Sequence, residues 1–539
     1  PAAEGKAQVE VIITEAQANK LRAKGLDLKK KKVKGQDAAR VMAEQADNGF
    51  EVWASYSERG GIRDDMLATA DAYPDLTKVV TAGQSVNGQD ILAVKVTKSA
   101  DNRKDGAKPA VLYGATQHAR EWITPEMVQR LMHHVLEGYG SDPEITELLD
   151  TTELWFLPVQ NPDGYDFTFS DDRMWRKNTR DVNGDGVITN GDGVDMNRNF
   201  PYKWGFDNEG SSPQPTGETY RGTGPASEPE TKATISLIDK VGFEYFINYH
   251  SAAELLLYGT GWQVETPTPD DEIYQALAGT DANPAVEGYD PDLSAELYTT
   301  NGDTDGHTHE VQGVLTFTPE MSTCQTISAA HPDDQWLPED CPSVFVFPDD
   351  EDLVQEEFEK NVDFALSVAH SAADPDDPVS AVGLVADDMV VDEFPVSYGS
   401  DQAVAVNAKR ALKNLRLWYQ INGGEAVEVK TSEWAGGQRY GGEHDKYYAE
   451  FRGTVSAAAP GDEVTAWFTA NKPGAGDIQT EPFTYTVADD IGGDVLVLAA
   501  EDYTGASPAQ ASGLSYADDY VASIEAAGYT TDVYDVDAN

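Results

Sequence analysis

Between residues 56 and 372 the chain alternates short, almost wholly apolar runs with longer stretches of helical period, and this alternation restricts the fold more than any other feature. Leu154-Trp155-Phe156-Leu157-Pro158-Val159 and Tyr245-Phe246-Ile247-Asn248-Tyr249 have the length and composition of central strands buried on both faces. Residues 91–96 and 110–113 are strand-like as well. Residues 125–137 place Met127, Leu131 and Leu136 at helical spacing, and residues 353–372 predict a closing helix. Strands and helices interleaved in this way must stack as α/β layers to bury both kinds of apolar surface.

The flanks differ. In residues 1–48, Val9-Glu10-Val11-Ile12-Ile13 predicts a strand, and Thr14 would cap a short helix running to Lys24 and stopped by Gly25. The basic run Lys29 to Lys32, with Lys34, is either a solvated arm or lies against an acidic face. Asp374-Pro375-Asp376-Asp377-Pro378 is a hinge-like linker. Beyond it, Leu415-Arg416-Leu417-Trp418-Tyr419-Gln420-Ile421 alternates with period two. With residues 447–451, 464–468 and 483–487 and Gly-rich turns between them, it predicts an all-β sandwich over 379–488. Residues 489–539 read as a single C-terminal βαβ fragment, with strands at 495–498 and 531–534 and a helix at 516–527. One such unit cannot cover both its faces, so the parent chain is expected to continue.

A formal charge of -55 over 539 residues excludes nucleic acid as a partner, since phosphate binding needs a basic surface. It fits a solvated acidic surface that would also attract cationic substrates. No run of 18 apolar residues is present, so no membrane-spanning helix is expected. Cys324 and Cys341 predict one structural disulfide in a chain outside the cell, or else a pair of buried thiols. No signal peptide is visible, and Pro1-Ala2-Ala3 has the look of a start just after processing.

The chemistry starts at His118-Ala119-Arg120-Glu121-Trp122, just after the strand ending near Tyr113. A His and a Glu three apart can face one metal ion where the chain turns, and zinc accepts both donor types while leaving a position for water. The bare pattern is weak: His134-x-x-Glu137 and His307-x-x-Glu310 fit it equally, and the first of these lies in a helical stretch as ordinary surface.

The surroundings of His118 are what distinguish it. Residues 114–124 resemble the first zinc motif of the carboxypeptidase A and B family. The resemblance continues in order through Asn161-Pro162-Asp163-Gly164-Tyr165, Arg173-Met174-Trp175-Arg176-Lys177-Asn178, Gly193-Val194-Asp195-Met196-Asn197-Arg198-Asn199-Phe200, Asn248-Tyr249-His250-Ser251, Tyr298 with Gly302, and Phe317-Thr318-Pro319-Glu320-Met321. The match covers roughly residues 50 to 372, and a secreted bacterial member of the family is expected. It implies a three-layer α/β/α catalytic domain with a mixed central sheet over 49–373, and makes residues 1–48 a candidate remnant of a pro-segment.

By that resemblance His118, Glu121 and His250 would hold zinc, and Glu320 would act as general base toward the attacking water. Arg176 would stabilise the developing oxyanion. Asn197 and Arg198 would hold a free C-terminal carboxylate, which suits the guanidinium fork and makes peptide and protein C-termini the substrates. Tyr298 would close over the substrate, and Arg120 would contact it farther along. Counting from Gly302 to Glu320 puts Asp305 where the family sets side-chain preference, pointing to basic C-terminal residues, with Asp303 as the alternative. His307 and His309 have no counterpart, and read as polar loop residues or as a border of the pocket.

A second metal is indicated independently. Residues 181–192 fit a 12-residue calcium loop, with Asp181, Asn183, Asp185, the carbonyl of Val187, and Asp192 as ligands and Gly186 at the sharp turn. The terminal Asp in place of Glu is closer to dockerin-type loops. The alternative is a Gly/Asp-rich surface loop without metal.

Overall fold

The computed structural model describes residues 11, 13, 15–264, 266–332, 336–397, 401–434, 446–488, 493–499 and 516–535. At its centre is a mixed eight-stranded sheet. In chain order its strands are β1 (Thr77–Gln84), β2 (Asp90–Val96), β3 (Ala110–Ala115), β4 (Glu153–Leu157), β5 (Tyr245–Ser251), β6 (Leu255–Tyr258), β7 (Asp290–Leu293) and β8 (Leu315–Met321). Across the sheet they lie in the order β7-β6-β8-β5-β3-β4-β2-β1. The middle block β8-β5-β3-β4 is parallel, and antiparallel pairs occur at β8–β6, β4–β2 and β2–β1.

The strands' period of two sorts their side chains into two apolar layers. Val111, Tyr113, Leu154 and Phe156 join the core under helices α1 (Ile123–Gly138) and α5 (Glu351–Ser371). Ala110, Leu112, Trp155 and Leu157 face the opposite layer with Leu237 and Ile238 of α3 (Pro229–Val241). Both faces of the middle strands are therefore covered, which is why they read as unbroken apolar runs. Helix α2 (Pro162–Ser170) is capped by Asn161, whose Oδ1 accepts from the Gly164 amide at 3.0 Å.

The flanks follow. A helix spans Glu15–Ala23, with Gly25 at φ +89° behind it. The expected 9–13 strand falls largely outside the described residues, as does Thr14, and Val11 and Ile13 are not in a strand. Cys324 and Cys341 are joined in a disulfide, so the thiol alternative is set aside.

Past residue 388, two further sheets enclose a separate apolar core that includes Val404, Leu417, Phe468 and Tyr485. The first contains β9 (Gln402–Lys409) beside β11 (Tyr448–Val455). The second contains β10 (Lys413–Ile421), β12 (Glu463–Lys472) and β13 (Phe483–Val487). Last, β14 (Val495–Ala499) and β15 (Thr531–Asp535) pair in parallel around helix α6 (Ala517–Ala526), and Leu496 and Leu498 on β14 are exposed.

Candidate metal centre

The carboxyl ends of β3, β5 and β8 lie side by side, the position at which open α/β sheets collect their ligand sites. His118 and Glu121 lie in the loop between β3 and α1. His250 is the penultimate residue of β5, and Glu320 sits beside it on β8 in direct register. Among the described residues, one group of three or more His, Cys, Asp or Glu side chains has its ligand atoms within 4.8 Å of one another. It is His118, Glu121 and His250, all buried.

Their inner edges converge. Nδ1 of His118 is 2.9 Å from Oε1 of Glu121, Nδ1 of His250 is 3.1 Å from Oε2 of Glu121, and the two Nδ1 atoms are 3.0 Å apart. Their outer edges are held from behind. Nε2 of His118 lies 3.1 Å from Asp195, and Nε2 of His250 lies 3.0 Å from the Asn248 amide. Outer contacts of this kind orient imidazoles for a metal. Two imidazoles and a carboxylate aimed at one point suit zinc in both donor type and number.

Asp195 ties the centre to its neighbours. Its Oδ2 accepts from Nε and Nη2 of Arg176 at 3.0 and 2.9 Å, and its Oδ1 accepts from the Asn197 amide. Burial opposes its ionisation, but Arg176 and then His118 outweigh burial and hold its carboxyl well below the usual range. Burial, followed by the Arg176 charge, lowers His118. In His250 the same burial is outweighed by Glu121, and its pKa rises. Burial, then the Glu121 carboxylate, push Glu320 up to about 7.

Next to the centre opens a pocket bordered by His118, Asn197, Arg198, Tyr298, Asp303, Asp305, Thr318 and Glu320. Arg198 is 1% exposed, and its guanidinium lies 5.7 Å from the ring of Tyr298, which is itself exposed at the rim. Asn197 Oδ1 accepts from the backbone and hydroxyl of Thr304. Gly302, at φ +70°, packs so closely on this segment that a Cβ would sit 2.6 Å from the Arg198 carbonyl. The rim loop is pinned there, four residues from Tyr298.

Helix α4 (Thr304–Gln312) carries Asp305 in its first turn and is capped by Asp303. Asp305 accepts from Thr318 at 2.9 Å and from Ser294 at 3.3 Å. Burial, then the Asp303 carboxylate, push Asp305 up to about 7. Both acids border the pocket.

Several sequence readings need adjusting. His307 and His309 are not loop residues; both are buried on α4, His307 against Phe200 and His309 against Asp270. His134 and Glu137 are exposed, as expected for surface residues. Arg120 is buried, 3.2 Å from Glu218 and over the ring of Phe345. In the 181–192 loop, Asp181, Asn183 and Asp185 accept amides of the loop itself, while Asp192 is turned inward onto Val182 and Thr189. The carboxylates of Asp181, Asp185 and Asp192 do not converge as closely as the ligand atoms of His118, Glu121 and His250 do. The sequence by itself gives neither Asp195 nor Asp270 a role. Asp195 stood inside the 193–200 motif, and Asp270 carried no sequence signal.

Comparison with known proteins agrees with this geometry. The sequence profile of the family described as Zinc carboxypeptidase matches residues 62–349, more than half of the chain. A metallocarboxypeptidase A-like protein of Trichophyton verrucosum (strain HKI 0517) is 34% identical over 302 residues, covering 54% of this chain and 68% of the relative. Carboxypeptidase A1 of Sus scrofa is 35% identical over 224 residues, covering 41% of this chain and 51% of the relative. These relatives are fungal and mammalian and lend no support to a bacterial origin. Among solved structures, carboxypeptidase A from Helicoverpa armigera superposes with a TM-score of 0.51 at 22% identity, covering 67% of this chain and 86% of that one. Thrombin-activatable fibrinolysis inhibitor superposes with a TM-score of 0.50 at 23% identity, covering 62% and 80%. The two superpositions speak for the fold. With a profile match over most of the sheet and a His–Glu–His cluster at its strand ends, the chain belongs to the zinc carboxypeptidase family and is a metallocarboxypeptidase.

Proposed function

We propose that this enzyme removes single residues, with Lys and Arg preferred, from the free C-termini of extracellular peptides. The observation that carries the reading is one pocket bordered by His118 of the metal cluster, Glu320, Arg198 and two acids. Zinc held by His118, Glu121 and His250 would supply Lewis-acid polarisation of the scissile carbonyl and activation of water near neutral pH. Arg198, buried beside Asn197, pairs with the substrate carboxylate, and an internal bond offers no such group. Glu320 takes a proton from the attacking water and returns it to the leaving amine, a task suited to a carboxylate whose burial raises its pKa. Arg176, oriented by Asp195, faces the negative charge that develops on the carbonyl oxygen. Tyr298 covers the pocket from the rim. Asp305, with Asp303 beside it, receives the cationic side chain.

Residues 49–373 form the catalytic unit and 379–488 an accessory sandwich. The Cys324–Cys341 disulfide supports action outside the cell, where such bonds persist. Arg120 reaches a longer substrate once it parts from Glu218. Calcium binds the 181–192 loop and steadies the segment between Arg176 and Asn197. Its support is the ligand spacing and the tight turns around Asp181, Asn183 and Asp185.

The test is hydrolysis of peptides ending in Lys, Arg, Phe or Leu, each also as the C-terminal amide, with and without a zinc chelator. Release of the last residue from free acids alone, fastest for Lys and Arg and abolished by chelation, is the expected result. Cleavage of the amides at a comparable rate would refute the exopeptidase assignment.

A further inference from the structure

Asp270 is fully buried, and its carboxylate receives donors from two parts of the molecule. From the β-sandwich come the backbone amides of Lys446, Tyr447 and Tyr448, at 2.9, 3.0 and 2.8 Å. From the α/β region comes His309, with Nε2 3.3 Å from Oδ2. The sandwich is fastened nearby at two more points. Asn407 of β9 donates to the Pro269 carbonyl at 2.8 Å, and Tyr448, fully buried, belongs to the apolar core beneath the central sheet.

His309 lies on α4, four residues after Asp305, so the two share one face of the helix one turn apart. The Tyr274 and His309 rings pack in a T-shaped pair, with centroids 5.5 Å apart, and the Tyr274 hydroxyl accepts from the Thr316 amide of β8. The Asp270–His309 contact therefore joins three things: the start of β11, the strand that also carries Thr318 and Glu320, and the helix that carries Asp305 into the pocket.

We propose that Asp270 is a positioning residue: by binding the amides that lead into β11 and His309 together, it makes the sandwich part of the support that fixes Asp305 for a cationic C-terminal side chain. The proposal rests on the reading of Asp305 given above. A carboxylate saturated by three amides and an imidazole holds its neighbours firmly, because each lost donor leaves a buried charge less compensated. Small displacements of a positioned group cost binding steeply.

The experiment compares full-length variants on two peptides that differ only in a C-terminal Lys or the uncharged norleucine. His309→Leu removes the ring donor, His309→Gln keeps an N–H donor, and Asp270→Asn weakens the carboxylate's hold on every partner. Asp305→Asn reports on the pocket itself. Near-ultraviolet circular dichroism and bound zinc confirm that each variant is folded and loaded; should His309→Leu fail to fold, Asp270→Asn carries the test. We expect His309→Leu and Asp270→Asn to raise KM for the Lys peptide about tenfold with kcat nearly unchanged, and to leave the norleucine peptide within about twofold. His309→Gln should restore most of the loss. If Asp305→Asn abolishes the Lys preference while folded His309→Leu and Asp270→Asn retain it, the positioning role is overturned and the pocket reading stands. If Asp305→Asn leaves the preference intact, the pocket reading falls and takes the positioning role with it.

Discussion

Asp305 gives the sharpest quantitative expectation. Its carboxyl is buried at the pocket wall beside Asp303, and these two influences push it up to about 7. On the proposed reading, the ionised form would attract a Lys or Arg side chain, while the protonated form would offer such a side chain little more than a hydrogen bond. With a pKa near 7, roughly one tenth is ionised at pH 6 and roughly nine tenths at pH 8. The ratio of kcat/KM for a Lys-ended peptide to that for its norleucine counterpart should therefore rise about ninefold between those pH values. Taking the ratio cancels the titration of Glu320 and the metal ligands, which both substrates share. Steady-state kinetics at half-unit intervals would trace the curve, and Asp305→Asn should flatten it at a low value. A wild-type ratio that stays constant from pH 6 to pH 8, or a variant that keeps the slope, would refute the argument.

Three other outcomes are expected. Glu320→Gln should lower kcat by about 10²–10⁴-fold, the usual worth of a general base, while bound zinc stays stoichiometric. Asp195→Asn leaves Arg176 buried without its carboxylate and His118 without its outer partner. Thermal unfolding should show a loss of about 3–5 kcal/mol, and competition with a chelator should show zinc affinity about 10–100-fold weaker. In zinc-loaded enzyme, a calcium-selective chelator should lower the melting temperature by several degrees and Asp181→Ala should reproduce that shift; an unchanged melting temperature in both would reject calcium at residues 181–192.

Elements whose signal is local could be read from the chain alone. The runs at 154–157 and 245–249 announced strands buried on both faces because each of their alternating faces meets an apolar layer. The clustering of His118 and Glu121 could be expected because the motif around them is contiguous, and that of His250 because it sits near the end of an apolar run. What escaped was set by distance in sequence. Asp195 acts on His118 from 77 residues away, and although it stands inside the 193–200 motif, nothing local shows that it meets His118. Asp270 is an ordinary helix-start aspartate until the fold brings residues 446–448 onto it. The histidines of α4 looked like loop residues because Gly306 and Thr308 are poor helix formers. Capping by Asp303 and packing under Tyr274 override that weak preference.

The placement of the three ligands on adjoining strand ends bears on when the enzyme can acquire its ion. His118 and Glu121 sit 132 and 129 residues from His250, and their meeting depends on parallel pairing of β3 with β5, a slow, non-local event. A nascent or unravelled chain offers a lone two-donor grip, so it competes poorly for scarce zinc. Loading thus follows assembly of the sheet and rewards it, deepening the native basin once the last donor arrives.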